Sequence, residues 1–406
     1  LSHRLALFGA IAEGDTVAEN FSTSADCAAT LSCLNELGIA IEEAGGRVVI
    51  RGAGPRAFRP APGPLDARNS GSTLRMLAGI LAGRPFCSLL TGDASLRKRP
   101  VERVAEPLRL MGARLSSTAG GAPLEVCGGD LTGIDWTLPV ASAQVKTAVW
   151  LAGLQATGVT RVHEPSPSRD HTERLLPLFG VPLLRERGGV GVTGGSVLHG
   201  VHFSIPGDVS SAAFLVVAAL ILPGSEVRID HVLLNPGRTA FLEVLKSMGA
   251  QIEVGFEEEG AEPSGFIVAS SSKLVGTHVP PNLVPALIDE VPALAVAACH
   301  ADGTFTVSGA GELRVKESDR ISSLVEGLSR LGARVIEHPD GLTIEGGQPL
   351  FGASVRAHGD HRIAMALAIA GLSAAGTTSV EGAESIAVSF PEFEELLAQG
   401  LGGTLS

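Results

Sequence analysis

The sequence contains no tyrosine, and aromatic residues reach only 4% of it. A core built from this chain has to be aliphatic, which suits helices layered on sheets. Basic residues are also short: 31 Lys and Arg stand against 43 Asp and Glu, a net charge of −12. That balance argues against nucleic acid as a partner, because a phosphate backbone needs a basic stripe. A small anionic substrate is still allowed, since it needs only a few local Arg and Lys residues in a cleft. Cysteine is scarce too. Cys27, Cys33, Cys87, Cys127 and Cys299 are odd in number, scattered and without a Cys-x-x-Cys pair. Neither a disulfide framework nor a zinc site is expected, and the simpler reading is a reducing, cytoplasmic setting. No apolar run reaches the roughly 18 residues of a membrane helix. Ala212–Pro223 and Ile363–Ala370 read as buried helices, and no membrane partner is expected. Leu5–Ala12, after Arg4, looks superficially like a signal peptide but reads better as a buried first helix. The first residue is Leu rather than Met, so a preceding segment is expected.

What is present is enough apolar material, 45% against 18% charged residues, for a large core. A chain of 406 residues exceeds one core and predicts two or more domains. One pattern recurs along it: a Leu-rich helix end, then Gly, then a strand-like run. It ends at Gly38, Gly112, Gly180, Gly249 and Gly332, with a degenerate sixth copy at Leu397–Gly400. These glycines are where a helix would stop in a left-handed residue. A second series interleaves with the first: Gly14, Gly83, Gly158, Gly224, Gly303 and Gly376, spaced 66 to 79 residues apart. Two interleaved six-fold series predict six units of about 70 residues, split three and three into two similar α/β domains. The expected boundaries are 1–206 and 207–406.

Several units place a short polar segment before an apolar helix. These are Asn69–Thr73, Ser142–Lys146, Ser168–His171, Lys316–Arg320 and Asp360–Arg362. A helix start presents unpaired N–H groups and a partial positive charge, and Ser, Asn and Asp are its ordinary caps. Cations there oppose the helix dipole, yet Arg75, Arg99, Arg169, Lys316, Arg320 and Arg362 lie in or near these segments. Their repeated placement predicts bound anions.

At these residues the sequence resembles the 5-enolpyruvylshikimate-3-phosphate synthases. The resemblance is carried by Arg314–Arg320, Gly359–Met365, Gly92–Pro100, Ser142–Lys146, Ser168–Glu173 and Asn235–Thr239, in the family's order and over nearly the whole chain. It implies an inside-out α/β barrel fold of two similar domains, each of three βαβαββ units, with a cleft between them. It implies transfer of the enolpyruvyl group of phosphoenolpyruvate to the 5-hydroxyl of shikimate 3-phosphate, with release of phosphate, on the route to chorismate and aromatic amino acids. Addition and elimination pass through a tetrahedral intermediate. No metal or organic cofactor is implied, and a monomer is expected.

Carried over by resemblance, phosphoenolpyruvate is met by Gly71, Arg99, Gln144, Lys316, Arg320 and Arg362. Arg suits this task because its planar fork pairs bidentately with carboxylate and phosphate. Shikimate 3-phosphate is met by Ser2, Arg4, Ser142, Ala143, Gln144, Ser168, Arg169, Asp289 and Lys316. Asp289, Glu317 and Lys316 are the catalytic residues that the resemblance implies: Asp289 would take the 5-hydroxyl proton and Glu317, beside Lys316, would move the C3 proton. His361 is expected to orient Arg362 rather than act as a base. Gly71 would leave room for substrate, and for the inhibitor glyphosate, which competes with phosphoenolpyruvate in this family.

The sequence departs from the family at two places. Relatives carry a Gly-Asp-Lys-Ser-like segment just before Leu-Ser-His-Arg, whereas this sequence begins at Leu1. The resemblance therefore carries over no residue for that Lys, and the second domain is expected without the strand near it. Many relatives also have Lys before Thr-Phe-Pro near the C-terminus, where this chain has Val388-Ser389-Phe390-Pro391, as in one bacterial subgroup. Two alternatives stay open at this point: a transferase acting on a UDP-amino sugar, and a non-catalytic anion-binding protein.

Overall fold

The two glycine series mark six copies of one structural unit. The computed structural model describes residues 1–186, 188–258 and 260–401. One complete copy runs strand Leu65–Asp66, helix Gly71–Ala82, strand Cys87–Thr91, helix Glu102–Leu110, then strands Arg114–Thr118 and Gly121–Cys127. This is a βαβαββ unit. In its sheet the short first strand lies parallel to Cys87–Thr91, Gly121–Cys127 follows antiparallel, and Arg114–Thr118 takes the edge. The same order recurs in the sheets whose first strands are Asp135–Thr137 and His278–Val279. For the strand Glu13–Glu19, the parallel neighbour is His202–Ser204, contributed from the far end of the same half. The fourth sheet has three strands, with a single parallel bridge from Gly207 to Val232 in the first-strand place. The last sheet has two strands, Ser354–Arg356 and Ser379–Glu381. The chain divides into two compact units, Leu1–Ile205 and Pro206–Ser406. Each holds three copies, the sixth without its last two strands among the described residues.

The helices of each copy differ in what they bury. The first is apolar on nearly all sides and sits inside its unit. In the first unit these helices are Ser2–Ile11, Gly71–Ala82 and Ala143–Gly153. In the second they are Val209–Ile221, Val291–Cys299 and His361–Ser373. A helix hydrophobic all round has to be surrounded, and here sheets surround it with one face turned outward. The second helix of each copy, such as Arg320–Arg330, buries only one stripe. The signal-like start is thus an interior helix, with Leu5, Ala6, Leu7 and Phe8 fully buried. No helix of the described residues is long and apolar enough to cross a membrane.

Gly38, Gly112, Gly180, Gly249 and Gly332 all take positive φ, so the predicted left-handed helix stops are there. Gly83 is an exception in the second series. Its φ is −94°, and a Cβ there would lie 2.7 Å from Gln155 Oε1, so close approach rather than backbone hand selects glycine. The degenerate sixth copy is not a helix end among the described residues: Gly400 lies inside the helix Phe393–Leu401.

The expected lack of disulfides is corrected at one place. Cys87 and Cys127 are cross-strand partners and are bonded. They lie 40 residues apart in sequence, and only the register of the sheet faces them. The backbone hydrogen bond from Gly128 to Phe86 brackets them as a non-hydrogen-bonded pair, where side chains approach most closely. Cys27, Cys33 and Cys299 are buried thiols, and burial pushes Cys33 and Cys299 up to about 12.

Candidate active site

All five polar segments singled out in the sequence fall at helix starts. Ser70, Ser142, Asp319 and Asp360 each cap their helix by accepting a backbone N–H, and Asp170 occupies the cap position of His171–Leu178. Within each unit, side chains near the starts of the three interior helices are linked by hydrogen bonds.

In the first unit, close packing of two interior helices sets the geometry. A Cβ on Gly79 would lie 2.1 Å from the Ala148 carbonyl oxygen, so only glycine allows the helices Gly71–Ala82 and Ala143–Gly153 to cross there. Their first turns then meet. Arg75 Nη1 donates to Gln144 Oε1 at 2.7 Å, and Gln144 Nε2 donates to Ser72 Oγ at 2.9 Å. Gly71 faces this pair: a Cβ there would lie 2.7 Å from Arg75 Nη1 and 3.5 Å from Arg99 Nη1. Arg99 donates to Asn69 Oδ1 at 2.7 Å, and Asn69 in turn to Asp93. The third interior helix contributes Arg4, which is 8% exposed. Its Nε donates to Thr172 Oγ1 at 2.8 Å and its Nη2 to Thr147 Oγ1 at 3.3 Å and the Ala143 carbonyl at 3.5 Å. Arg4 thereby joins the start of Ala143–Gly153 to the start of His171–Leu178. Ser168 and Arg169 lie in the loop just before, and the Ser168 hydroxyl is shielded without a hydrogen-bond partner in the structure. Ser142 accepts the Val145 N–H, which leaves its own O–H to donate. Ser2 accepts the Ser22 N–H and is not bonded to the Arg4 group.

In the second unit the cluster is denser. Asp289 Oδ1 accepts from Lys316 Nζ at 3.4 Å and from Arg320 Nη1 at 3.1 Å. Arg320 Nη2 reaches Glu317 Oε2 at 2.6 Å, and its Nε reaches Asp360 Oδ2 at 2.8 Å. Arg362 Nη1 donates to the Asp289 carbonyl at 3.0 Å. All five predicted residues, Asp289, Lys316, Glu317, Arg320 and Arg362, are thus brought together. Arg320 is only 1% exposed. Burial alone would lower its proton affinity, but Asp360, Glu317 and Asp289 outweigh it and raise the guanidinium further. Burial would likewise push Asp360 up, and Arg320 outweighs it and holds that carboxyl below its ordinary value. Lys316, in contrast, keeps 30% of its side chain in solvent.

His361 does not hold Arg362 in place. Asp360 accepts the Arg362 backbone N–H at 3.0 Å, and the guanidinium is fixed by the Asp289 carbonyl. Burial, then the charge of Arg362, push the His361 imidazole down to about 4, so it is neutral near pH 7. Behind Asp289, the fully buried Glu290 accepts a short hydrogen bond from Ser210, and Arg238 donates to Ser210 at 2.5 Å. Two participants were given no role by the sequence: Asp360 looked like a plain cap, and Lys146, buried against two carboxylates, gave no local signal. Arg75, singled out in the sequence as a cation near a helix start, stands one helical turn from Gly71 and meets Gln144. Among the described residues no group of His, Cys, Asp and Glu could hold a metal ion.

Comparison with known proteins identifies the family. The profile of the family described as EPSP synthase (3-phosphoshikimate 1-carboxyvinyltransferase) matches residues 1–397. The 3-phosphoshikimate 1-carboxyvinyltransferase of Desulforudis audaxviator is 50% identical over 401 residues, covering 98% of this chain and 94% of the relative. That of Carboxydothermus hydrogenoformans is 50% identical over 402 residues, with the same coverage. Among solved structures, an EPSP synthase from Acinetobacter baumannii superposes with a TM-score of 0.88 at 44% identity, covering 98% of this chain and 93% of its own. The enolpyruvyl transferase NikO from Streptomyces tendae shares the fold, with a TM-score of 0.79 at 19% identity over 98% of this chain and 92% of its own.

Proposed function

The chain belongs to the EPSP synthase family, and from that premise we propose how its own residues divide the work of the reaction. The reaction transfers the enolpyruvyl group of phosphoenolpyruvate to the 5-hydroxyl of shikimate 3-phosphate and releases phosphate, within the biosynthesis of aromatic amino acids. The family and its named relatives leave the UDP-amino-sugar alternative without support.

The observation that carries the assignment is the shared acceptor Asp289, bonded to both Lys316 and Arg320. Asp289 takes the 5-hydroxyl proton as the oxygen attacks C2 of phosphoenolpyruvate. C3 gains a proton in the same addition, and Glu317 supplies it. An arriving phosphate dianion near Glu317 raises that carboxyl's proton affinity, as a like charge does. Elimination returns the C3 proton to Glu317, breaks the C2–O bond to phosphate and expels it, and the leaving phosphate takes the proton that Asp289 holds, so both carboxyls return to their starting states. Lys316 and Arg362 carry the charge of the phosphoenolpyruvate anions. Arg320 spends four of its five N–H donors on Asp360, Asp289 and Glu317, which leaves one on Nη1 for the ligand, so its larger contribution is to fix the carboxylates. Gly71, Arg99 and Gln144 keep the phosphoenolpyruvate contacts that the family resemblance gives them. Ser2, Arg4, Ser142, Ala143, Gln144, Ser168, Arg169, Asp289 and Lys316 keep those to shikimate 3-phosphate. The unpartnered Ser168 hydroxyl supports this, because a shielded polar group without a partner is uncommon unless a ligand or water completes it.

A monomeric state and a cytoplasmic location belong to the same proposal. Three free buried thiols favour a reducing compartment, and the Cys87–Cys127 bond opposes it. Thiol counting after alkylation of freshly isolated protein decides between them. The activity itself is tested by phosphate release that requires both substrates. Asp289→Asn should abolish it while leaving the fold intact. Phosphate release by Asp289→Asn at the parent rate would remove Asp289 from the chemistry.

A further inference from the structure

The shikimate 3-phosphate assignment rests on two separate pieces of chain, and one buried cation holds them together. Ser142, Ala143 and Gln144 begin the interior helix Ala143–Gly153, while Ser168 and Arg169 sit in the loop between strand Val159–His163 and helix His171–Leu178. That loop bulges into solvent at Pro165, Ser166 and Pro167. Lys146 lies one turn into the interior helix with its side chain 2% exposed. Its ammonium donates to Glu164 Oε2 at 2.7 Å and to Glu173 Oε1 at 2.5 Å. Glu164 is the residue at which the loop begins, and Glu173 lies just past its end. Both ends of the loop are therefore tied to a single atom on the helix that carries the other half of the candidate pocket.

Two carboxylates share one cation, and their outer oxygens, Glu164 Oε1 and Glu173 Oε2, are shielded with no hydrogen-bond partner in the structure. Burial raises the proton affinity of Glu173, and the charge of Lys146 works against that rise. Lys146 also lies 5.6 Å from the ring centre of Trp150, one turn further along the helix. A buried charge pair is weak as a source of stability but effective at fixing one geometry, because other arrangements leave a charge unpaired.

We propose that Lys146 is a positioning residue for shikimate 3-phosphate: through Glu164 and Glu173 it fixes Ser168 and Arg169 relative to Ser142, Ala143 and Gln144. This rests on the pocket assignment above, so the experiment tests the two separately. Shikimate 3-phosphate binding to the full chain is measured by calorimetry for the parent, Arg169→Ala, Lys146→Met and Glu164→Gln, each checked for folding by circular dichroism. Michaelis constants for both substrates are measured beside it.

Arg169→Ala reports on the pocket alone and should weaken binding by tenfold or more. Unchanged binding there overturns the pocket assignment. Lys146→Met should raise the dissociation and Michaelis constants for shikimate 3-phosphate by tenfold or more, while the Michaelis constant for phosphoenolpyruvate stays within about twofold. A purely structural role would lower the amount of folded protein without separating the two substrates. Should Lys146→Met fail to fold, Glu164→Gln decides: it keeps a hydrogen bond to Lys146, removes one charge, and should still weaken shikimate 3-phosphate selectively by about threefold. Effects equal for both substrates, or none in a folded variant while Arg169→Ala is impaired, overturn the role of Lys146.

Discussion

Replacing Gly71 by Ala should act through Arg75 as well as through the ligand. The added Cβ would fall 2.7 Å from Arg75 Nη1, against an ordinary contact distance of 3.4 Å and more, so the guanidinium has to withdraw by about 0.7 Å. That same nitrogen donates to Gln144 Oε1 at 2.7 Å. A withdrawal of this size straight away from Gln144 would stretch the bond to about 3.4 Å, near the limit of a hydrogen bond, and an oblique one would weaken it by about half. A bond from a charged donor contributes roughly 1.5–3 kcal/mol. Losing half of it, about 1 kcal/mol, raises the Michaelis constant for phosphoenolpyruvate by roughly fivefold. A methyl group crowding the longer competitor glyphosate adds discrimination on the scale of one methylene, roughly 1–3 kcal/mol. The inhibition constant should therefore rise at least about fivefold more than the Michaelis constant. Initial rates of phosphate release, at several concentrations of phosphoenolpyruvate and glyphosate, give both constants for parent and variant. A parent unaffected by millimolar inhibitor, or the same ratio of the two constants in both proteins, would refute the reasoning.

Lys316→Met and Arg362→Ala should each abolish detectable turnover in a folded protein, since truncating one partner of a buried charge contact costs roughly 2–5 kcal/mol. A variant keeping a tenth of the parent rate would place that residue outside the anion pocket. Glu290→Ala should lower the unfolding free energy by roughly 1–3 kcal/mol, because it strands the buried Ser210 hydroxyl donor behind Asp289. An unchanged urea midpoint would contradict this. Burial, as the main cause, holds His3 down at about 4 in the folded chain, while an unfolded histidine takes its proton near 6.5. The unfolded state thus binds more protons between these values, and stability falls as pH drops from about 6.5 to about 4, by roughly 2–3 kcal/mol from this residue. His3→Gln should flatten the dependence of the urea midpoint on pH in that window, and an unaltered slope would remove His3 as a cause.

Much of the fold was legible because its signals are local. The left-handed glycines at Gly38, Gly112, Gly180, Gly249 and Gly332 follow from a backbone preference that needs no tertiary partner. The caps at Ser70, Ser142, Asp319 and Asp360 reach only two or three residues along the chain. The recurrence of the two interleaved glycine series was enough to predict repeated units, and the motif residues were enough to suggest which anions they meet. Gly83 carries no such local signal, because its constraint, the approach of Gln155, comes from a different copy.

By itself, then, the sequence determined the repeat, the helix starts and the chemical types gathered there, all set by interactions within a turn or two. Tertiary structure decided which groups share a partner. Arg320 meets Asp289 and Asp360, 31 and 40 residues away. Lys146 ties down a loop at both ends, 18 and 27 residues on. Cys87 faces Cys127 through strand register alone. Such pairings depend on how interior helices cross and sheets align, and a one-residue slip in register or a Cβ on Gly79 would undo them while leaving every local signal intact.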